Sequence, residues 1–389
     1  MSSLKELLML VPQGPDFRID WQDIESNVMQ DYAPAMKQTK QNQAYHAEGD
    51  VWTHTKMVCE CLVKNEKFQA LSERQRQELF LAALFHDVGK IFTTRLENGE
   101  WTSPNHSAVG ANIVRKKLWC DYGVCGTKDL QNFRETVCLL IRYHMMATHL
   151  IEADNPEQRL IRTAANGKLA DDYSLNLLFA LSEADTEGRI SDNRQDGKET
   201  ISLMADTAKD LNCYDKPKRF FSNFTEQAYL SGRNISPETE LYNDTEFEVI
   251  MMCGLPGTGK DTYIRTFYPD YPTVSLDDIR REYNLPHTGD QQEAARIAKE
   301  RAKQYLRQKK SFIWNATSVT PDIRSRLIAL FTGYNAYVKI IFLETDYREN
   351  LQRNKNRKDA VPQAVIEKML AKLTPPERFE AHEVNWICI

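Results

Sequence analysis

Adjacent His86 and Asp87 close the apolar run Phe80-Leu-Ala-Ala-Leu-Phe85, and Gly89 then lets the chain turn before Lys90. An imidazole beside a carboxylate at a buried helix end offers two ligands to one metal, and the carboxylate can bridge to a second. Further donors recur along the chain: His54, His106 in Ser103-Pro-Asn-His106, His144 after the apolar run Val137–Tyr143, and Asp185 in Leu181-Ser-Glu-Ala-Asp185. Imidazoles and carboxylates in this ratio suit Mn²⁺, Fe, Ni²⁺, Co²⁺ or Zn²⁺ rather than the oxygen cages of Ca²⁺. Such a metal lowers the pKa of its water and offsets charge on a phosphorus centre. Lys90 could contact a substrate phosphate, with a solvated surface lysine as the alternative. His46 and His149 read as ordinary hydrogen-bonded or surface histidines, although a shift of helix register would put His149 in place of His144.

A second set of residues points to phosphoryl transfer. Val249–Cys253 is an apolar strand-like run, followed by Gly254, Gly257, Thr258 and Gly259, then Lys260 and a helix-compatible stretch. This G-x-x-x-x-G-K spacing between strand and helix is that of a phosphate-binding loop for ATP or another NTP with Mg²⁺. Its backbone amides and the helix N-terminus would cradle the anion, and Lys260 would meet the outer phosphates. Asp261 stands where Ser or Thr usually ligates Mg²⁺, and Thr262 comes one place later. Asp277-Asp278-Ile-Arg280 follows the next strand directly, where a carboxylate can take a proton from an attacking hydroxyl. Arg280, one turn on, could hold an acceptor phosphate. Asn315-Ala-Thr-Ser318 ends a third strand, where Asn315 could orient metal-bound water or cap the next helix. Arg353-Asn-Lys-Asn-Arg357-Lys358 reads as a basic lid whose Arg357 stabilises charge on the transferred group.

The elements needed to position these residues fall into two kinds. From Trp52 to about Leu211 the apolar spacing is helical, with strand-like alternation scarce. Helices are expected near 55–68, 72–87, 106–119, 130–146, 158–168, 173–187 and 200–211, with a polar loop over 188–197. After the phosphate loop, strands alternate with helices, including a long one over 291–307, which predicts a mostly parallel sheet. Expected boundaries are an all-α domain over 1–210, a loosely structured connection over 211–246, and an α/β P-loop domain over 247–389. The aromatics Phe220, Phe221, Phe224 and Tyr229 would pack the connection onto the first domain.

Bulk composition agrees with two domains, since 389 residues exceed one ordinary core. Residues 247–389 hold 22 Lys and Arg against 18 Asp and Glu, while residues 1–246 hold 28 against 37. The acidic excess is therefore confined to the first part of the chain, and the mild basic excess of the second proves nothing about nucleic acid. The eight cysteines form no C-x-x-C pair, so reduced thiols in the cytoplasm are the expectation. No apolar stretch has the length of a membrane span, and no membrane partner is expected.

The order His54, His86-Asp87-x-Gly-Lys90, His106-x-x-x-Gly110, His144, Asp185 resembles the HD-domain phosphohydrolase superfamily. Its local strings look most like the HD domains attached to bacterial tRNA nucleotidyltransferases, which act as 2′,3′-phosphoesterases. The resemblance spans about 50–190 and implies His54, His86, Asp87 and Asp185 around one metal, with His106 and His144 on a second metal or a phosphate. Gly254–Thr262, Asp277-Asp-Ile-Arg280, Asn315-Ala-Thr317 with Arg324, and Arg353-Asn-x-x-Arg357 with Ala360-Val-Pro362 resemble phage-type 5′-hydroxyl polynucleotide kinases. That likeness implies Asp277 as base, Arg280 on the phosphate next to the 5′-hydroxyl, and Arg353 and Arg357 on the donor nucleotide. Together the two halves look like bacterial two-domain end-healing enzymes. Such an enzyme acts on RNA or DNA ends, removing a 2′,3′-cyclic, 2′- or 3′-phosphate and phosphorylating a 5′-hydroxyl before a separate ligase acts. Two other readings fit the motifs: a nucleotide hydrolase fused to a small-metabolite kinase, and a kinase carrying an inert HD clamp.

Overall fold

The computed structural model describes residues 3–285, 292–357 and 359–389. Gln291, at the head of the expected long helix, and Lys358, in the expected lid, lie outside them. Two compact units emerge: residues 1–124 with 129–218, and residues 125–128 with 219–389.

The first unit is helical. Asp50 caps the helix Val51–Lys64 by accepting from Thr53 N at 2.9 Å, and a Ser72–Gln75 capping box starts Glu73–Phe85. Such caps satisfy amides that would otherwise be orphaned. Leu79 to Phe85 are all buried, so this helix is wrapped on every side at its C-terminal end. Val51–Lys64 and Leu175–Glu187 pack against it. Two features depart from the expectations above. The expected loop over 188–197 is helical from Arg194, because the helix over 200–211 runs as Arg194–Asp210. A short antiparallel hairpin, β1 (Arg95–Glu97) and β2 (Glu100–Thr102), joins Lys90–Thr93 to His106–Cys120. Three-residue strands are too short to show a period, which is why alternation gave no sign of them.

The second unit carries β3 (Phe247–Cys253), β4 (Thr273–Ser275), β5 (Phe312–Asn315), β6 (Ala336–Glu344) and β7 (Glu383–Cys388), in the order β4-β5-β3-β6-β7. Every pairing is parallel, as expected for strands joined by crossover helices. Ile250, Met252, Ile313, Ile341 and Leu343 pack with Ile264 into one core, which holds β3, β5 and β6 side by side. The segment 219–246 is less loose than expected, since it contains the helix Asn223–Leu230. Its aromatics were expected to pack on the first domain. Phe224 instead stacks on His382 of the second unit at 5.7 Å, Phe220 meets Tyr229, and Phe221 is exposed. Among the described residues, no helix is long and apolar enough to cross a membrane.

Candidate metal centre and phosphate-binding cleft

Six residues from five elements meet inside the helical unit. His54 Nε2 lies 3.0 Å from Asp185 Oδ1 and 3.8 Å from Asp87 Oδ2. His86 Nε2 lies 3.3 Å from Asp87 Oδ2 and 3.8 Å from Asp185 Oδ1. On the other side, Asp87 Oδ1 is 3.3 Å from His106 Nε2 and 3.9 Å from His144 Nε2. The two oxygens of Asp87 thus face two different sets of imidazoles. His149 is exposed and stands outside the cluster, so His144 is the histidine that converges.

The orientation of the rings decides what they offer. His86 Nδ1 donates to Ala83 O, His106 Nδ1 to Ser103 O and His144 Nδ1 to Ile141 O, at 2.7, 2.8 and 2.7 Å. Each carbonyl fixes the tautomer, leaving the inward Nε2 as a lone pair. Lone pairs aimed at one another, as His106 Nε2 and His144 Nε2 are at 3.4 Å, repel unless a cation or proton lies between them. His86 Nε2 and both Asp87 oxygens are also buried without a hydrogen bond of good geometry. Buried polar atoms are rarely left so. The donor set therefore fits one or two metal ions, with His54–His86–Asp87 and Asp87–His106–His144 each close enough to share one; His46, Glu48 and His54 form a third such group beside them.

Charges around the centre follow from burial and contact. Burial alone would raise Asp87 and Asp185, but Lys90 and His86 hold Asp87 well below the usual carboxylate range, and Arg189 and His54 do the same for Asp185. Burial pushes His144 down to about 3 and lowers His106, so both stay neutral and able to ligate. His54, against burial, is raised by Asp185 and Glu48. Lys90 is not the solvated lysine of the simpler reading: it is buried, lies 2.7 Å from Asp87 Oδ2 and donates to Gln41 Oε1. Glu48 had no sequence signal because its anchor, Ile190, lies 142 residues on, and Arg189, though only four residues from Asp185, falls in the stretch that reads as a polar loop.

The second site lies at the carboxyl ends of the sheet. Gly257 and Gly259 have φ of 85° and 86°, a region that favours glycine, and a Cβ on Gly257 would sit 2.8 Å from Asn350 O. Thr258 is buried against Leu255 O, and the helix Lys260–Phe267 begins at once. Lys260 Nζ donates to Gly254 O and Leu255 O at 3.0 and 2.8 Å, and burial pushes its ammonium down to about 8. Asp261 Oδ1 accepts from Asn315 Nδ2 at 2.7 Å. Thr262 Oγ1 instead accepts from Arg265 on the exposed side, so Asp261, not Thr262, faces the cleft.

That cleft is lined by Asp261, Ser275, Asp277, Asn315 and Arg357 among others. Arg280 Nη1 donates to Asp277 Oδ1 at 2.7 Å, and Arg357 Nη2 to Asp277 Oδ2 at 3.1 Å. Burial would raise Asp277, but these guanidiniums outweigh it and lower its pKa. Arg353 lies beside the phosphate loop, 3.6 Å from where a Cβ on Gly259 would be, and donates to Glu349. Arg324 sits elsewhere: fully buried, it bonds Glu380 through two nitrogens and the carbonyls of Ser318 and Thr374, bracing the fold.

Comparison with known proteins agrees with this division. Residues 51–166 match the family model of the HD domain, and residues 249–376 that of the AAA domain. A multifunctional CCA protein of Hahella chejuensis (strain KCTC 2396) is 29% identical over 170 residues, 42% of this chain and 36% of the relative. The chain thus spans about a third of that relative's length. It joins an HD domain of phosphohydrolase type to an AAA-family P-loop domain of kinase-like architecture.

Proposed function

We propose that this chain heals broken nucleic-acid ends: the HD domain removes a 2′,3′-cyclic, 2′- or 3′-phosphate, and the P-loop domain phosphorylates a 5′-hydroxyl. The observation that carries it is the pairing of the two centres on one chain, a buried imidazole–carboxylate cluster and an aspartate held by two arginines across a phosphate-loop cleft. The likeness to a multifunctional CCA protein points towards nucleic-acid ends rather than free metabolites.

In the HD domain, His54, His86, Asp87 and Asp185 would hold one metal, and His106 and His144, near the other Asp87 oxygen, would hold a second. A bound divalent ion supplies an acidified water and offsets phosphate charge. Lys90 keeps the Asp87 carboxylate ionised and turned inward, and is the nearest ammonium for a substrate phosphate. In the kinase domain, Gly254, Gly257, Thr258, Gly259 and Lys260 would wrap the NTP phosphates, Asp261 would meet the accompanying Mg²⁺, and Arg353 and Arg357 would close over the nucleotide. Asp277 accepts the proton of the 5′-hydroxyl. When the strand's terminal phosphate draws Arg280 away from it, the first of the charges depressing Asp277 is removed, Arg357 and Lys260 remain, and the base strengthens.

The test follows both ends of an oligonucleotide bearing a 5′-hydroxyl and a 3′-phosphate, incubated with labelled ATP and Mn²⁺ or Mg²⁺. Asp277→Asn should lose 5′-labelling by roughly 10²-fold or more and keep 3′-phosphate release. Asp87→Ala should do the reverse. A nucleoside labelled as well as the oligonucleotide would favour a small-metabolite kinase. A wild-type chain that binds no metal and releases no phosphate would leave the HD domain as a clamp.

A further inference from the structure

The first and last residues of the HD cluster are gripped by one strut. Ala47 N donates to Ile190 O, and Ile190 N donates to Glu48 Oε2, both at 2.9 Å. The segment ahead of helix Val51–Lys64 is thereby stitched to the turn that follows Leu175–Glu187. Gly188 makes the close approach possible: a Cβ there would lie 2.6 Å from Val58 Cγ2 and 2.8 Å from Val58 N. From this strut two charged side chains reach into the centre. Glu48, with its side chain 1% exposed, places Oε1 2.8 Å from Nδ1 of both His46 and His54, in line with the His46 ring and off the axis of the His54 N–H. Arg189 reaches back to Asp185 with Nη2 and, at 3.3 Å, with Nε.

His54 needs such help where its neighbours do not. His86, His106 and His144 each donate Nδ1–H to a carbonyl three residues back. For His54 that carbonyl is Val51 O, which already accepts from the Thr55 hydroxyl at 2.9 Å. A neutral imidazole presents a lone pair at Nε2 only when its proton is kept at Nδ1. Resting on the reading that His54 and Asp185 hold a metal, we infer that Glu48 and Arg189 are positioning residues of that centre, Glu48 keeping the His54 proton on Nδ1 and Arg189 holding Asp185 towards His54. His46 is the brace of the pair. Its Nδ1 donates to the same Glu48 oxygen, and its ring packs edge-on against His54 at 4.7 Å, so Glu48 cannot swing away.

The test is Mn²⁺ binding by calorimetry to the metal-stripped full-length chain, with thermal unfolding in EDTA as the check on folding. Glu48→Ala should bind Mn²⁺ about 10–100-fold more weakly, the usual loss when the carboxylate behind a ligating histidine is removed. Arg189→Gln should shift affinity in the same direction. Glu48→Gln keeps an oxygen acceptor for His54 and should retain more affinity than Glu48→Ala. A folded Glu48→Ala with wild-type affinity and stoichiometry overturns the inference. Should Glu48→Ala not fold, Glu48→Leu, which fills the space without an acceptor, decides, and unchanged binding there overturns it too. Wild-type chain that takes up no Mn²⁺ refutes the metal reading itself, a separate failure.

Discussion

Lys260 and Asp261 stand side by side at the phosphate loop, and each makes a measurable demand on the nucleotide. Burial has pushed the Lys260 ammonium to about 8, against the pull of Asp261 and Asp277. It is charged below that pH and loses its proton as pH rises through it. The kcat/KM for ATP reports the free enzyme, so it should fall on the alkaline side of about pH 8, and Lys260→Arg should move that limb beyond the measurable range. Asp261 carries a negative charge at the place where a triphosphate arrives. Like charges a few Å apart cost about 1 kcal/mol in water and more when partly buried. Asp261→Ser should therefore bind ATP at least about 5-fold more tightly than wild type in EDTA, where no Mg²⁺ screens the carboxylate. Equal affinities in a direct titration would show that Asp261 does not face the phosphates. At this scale the sequence was most legible: every donor of the HD cluster was visible from residue type and order. Glu48 and Arg189 were not, because a carboxylate at 48 means nothing until residue 190 is beside it.

At the scale of elements, the HD centre depends on how closely two short segments approach. The turn after His86-Asp87 runs against the start of His106–Cys120, and a Cβ on Gly89 would lie 2.0 Å from His106 O and 2.7 Å from Gly110 N. Both are backbone atoms, so no side chain can move to make room. Gly89→Ala should destabilise the helical unit by roughly 3 kcal/mol, the upper end of what overpacking costs, and displace His106 from Asp87. Loss of phosphate release with a lowered unfolding temperature, and 5′-labelling retained, is the expected result. A variant as stable as wild type would mean the segments can part freely. The long amphipathic helices were readable from period, while the hairpin Arg95–Thr102 was too short for one. Of the loop expected over 188–197, residues 188–193 are turn and coil as expected, while 194–197 were misread because polar residues there sit on an exposed helix face, where polarity and helicity coexist.

Across the whole molecule, two units with separate ligands should respond to them separately. A ligand at 100 times its Kd stabilises the state that binds it by about 2.7 kcal/mol. Calorimetric unfolding should thus show Mn²⁺ raising the transition of the helical unit and Mg²⁺-ATP that of the P-loop unit, each leaving the other in place. A single transition that moves with either ligand would refute independence. The acidic excess of the first part of the chain has no counterpart in the second, so salt should also affect the two transitions differently.

The sequence by itself determined the chemistry: which side chains can ligate, which glycines can curl around a phosphate, and which halves are helical or alternating, since all these follow from residue type and local spacing. Tertiary structure alone decided which of those groups meet. It turned four imidazoles so that their lone pairs converge, because the acceptors that orient them include a carbonyl at a helix end and a glutamate stitched to a turn 142 residues away. It also brought Arg357 to Asp277 across 80 residues and made Arg324 a brace. Such contacts depend on chain closure over long separations, where local pattern carries no information.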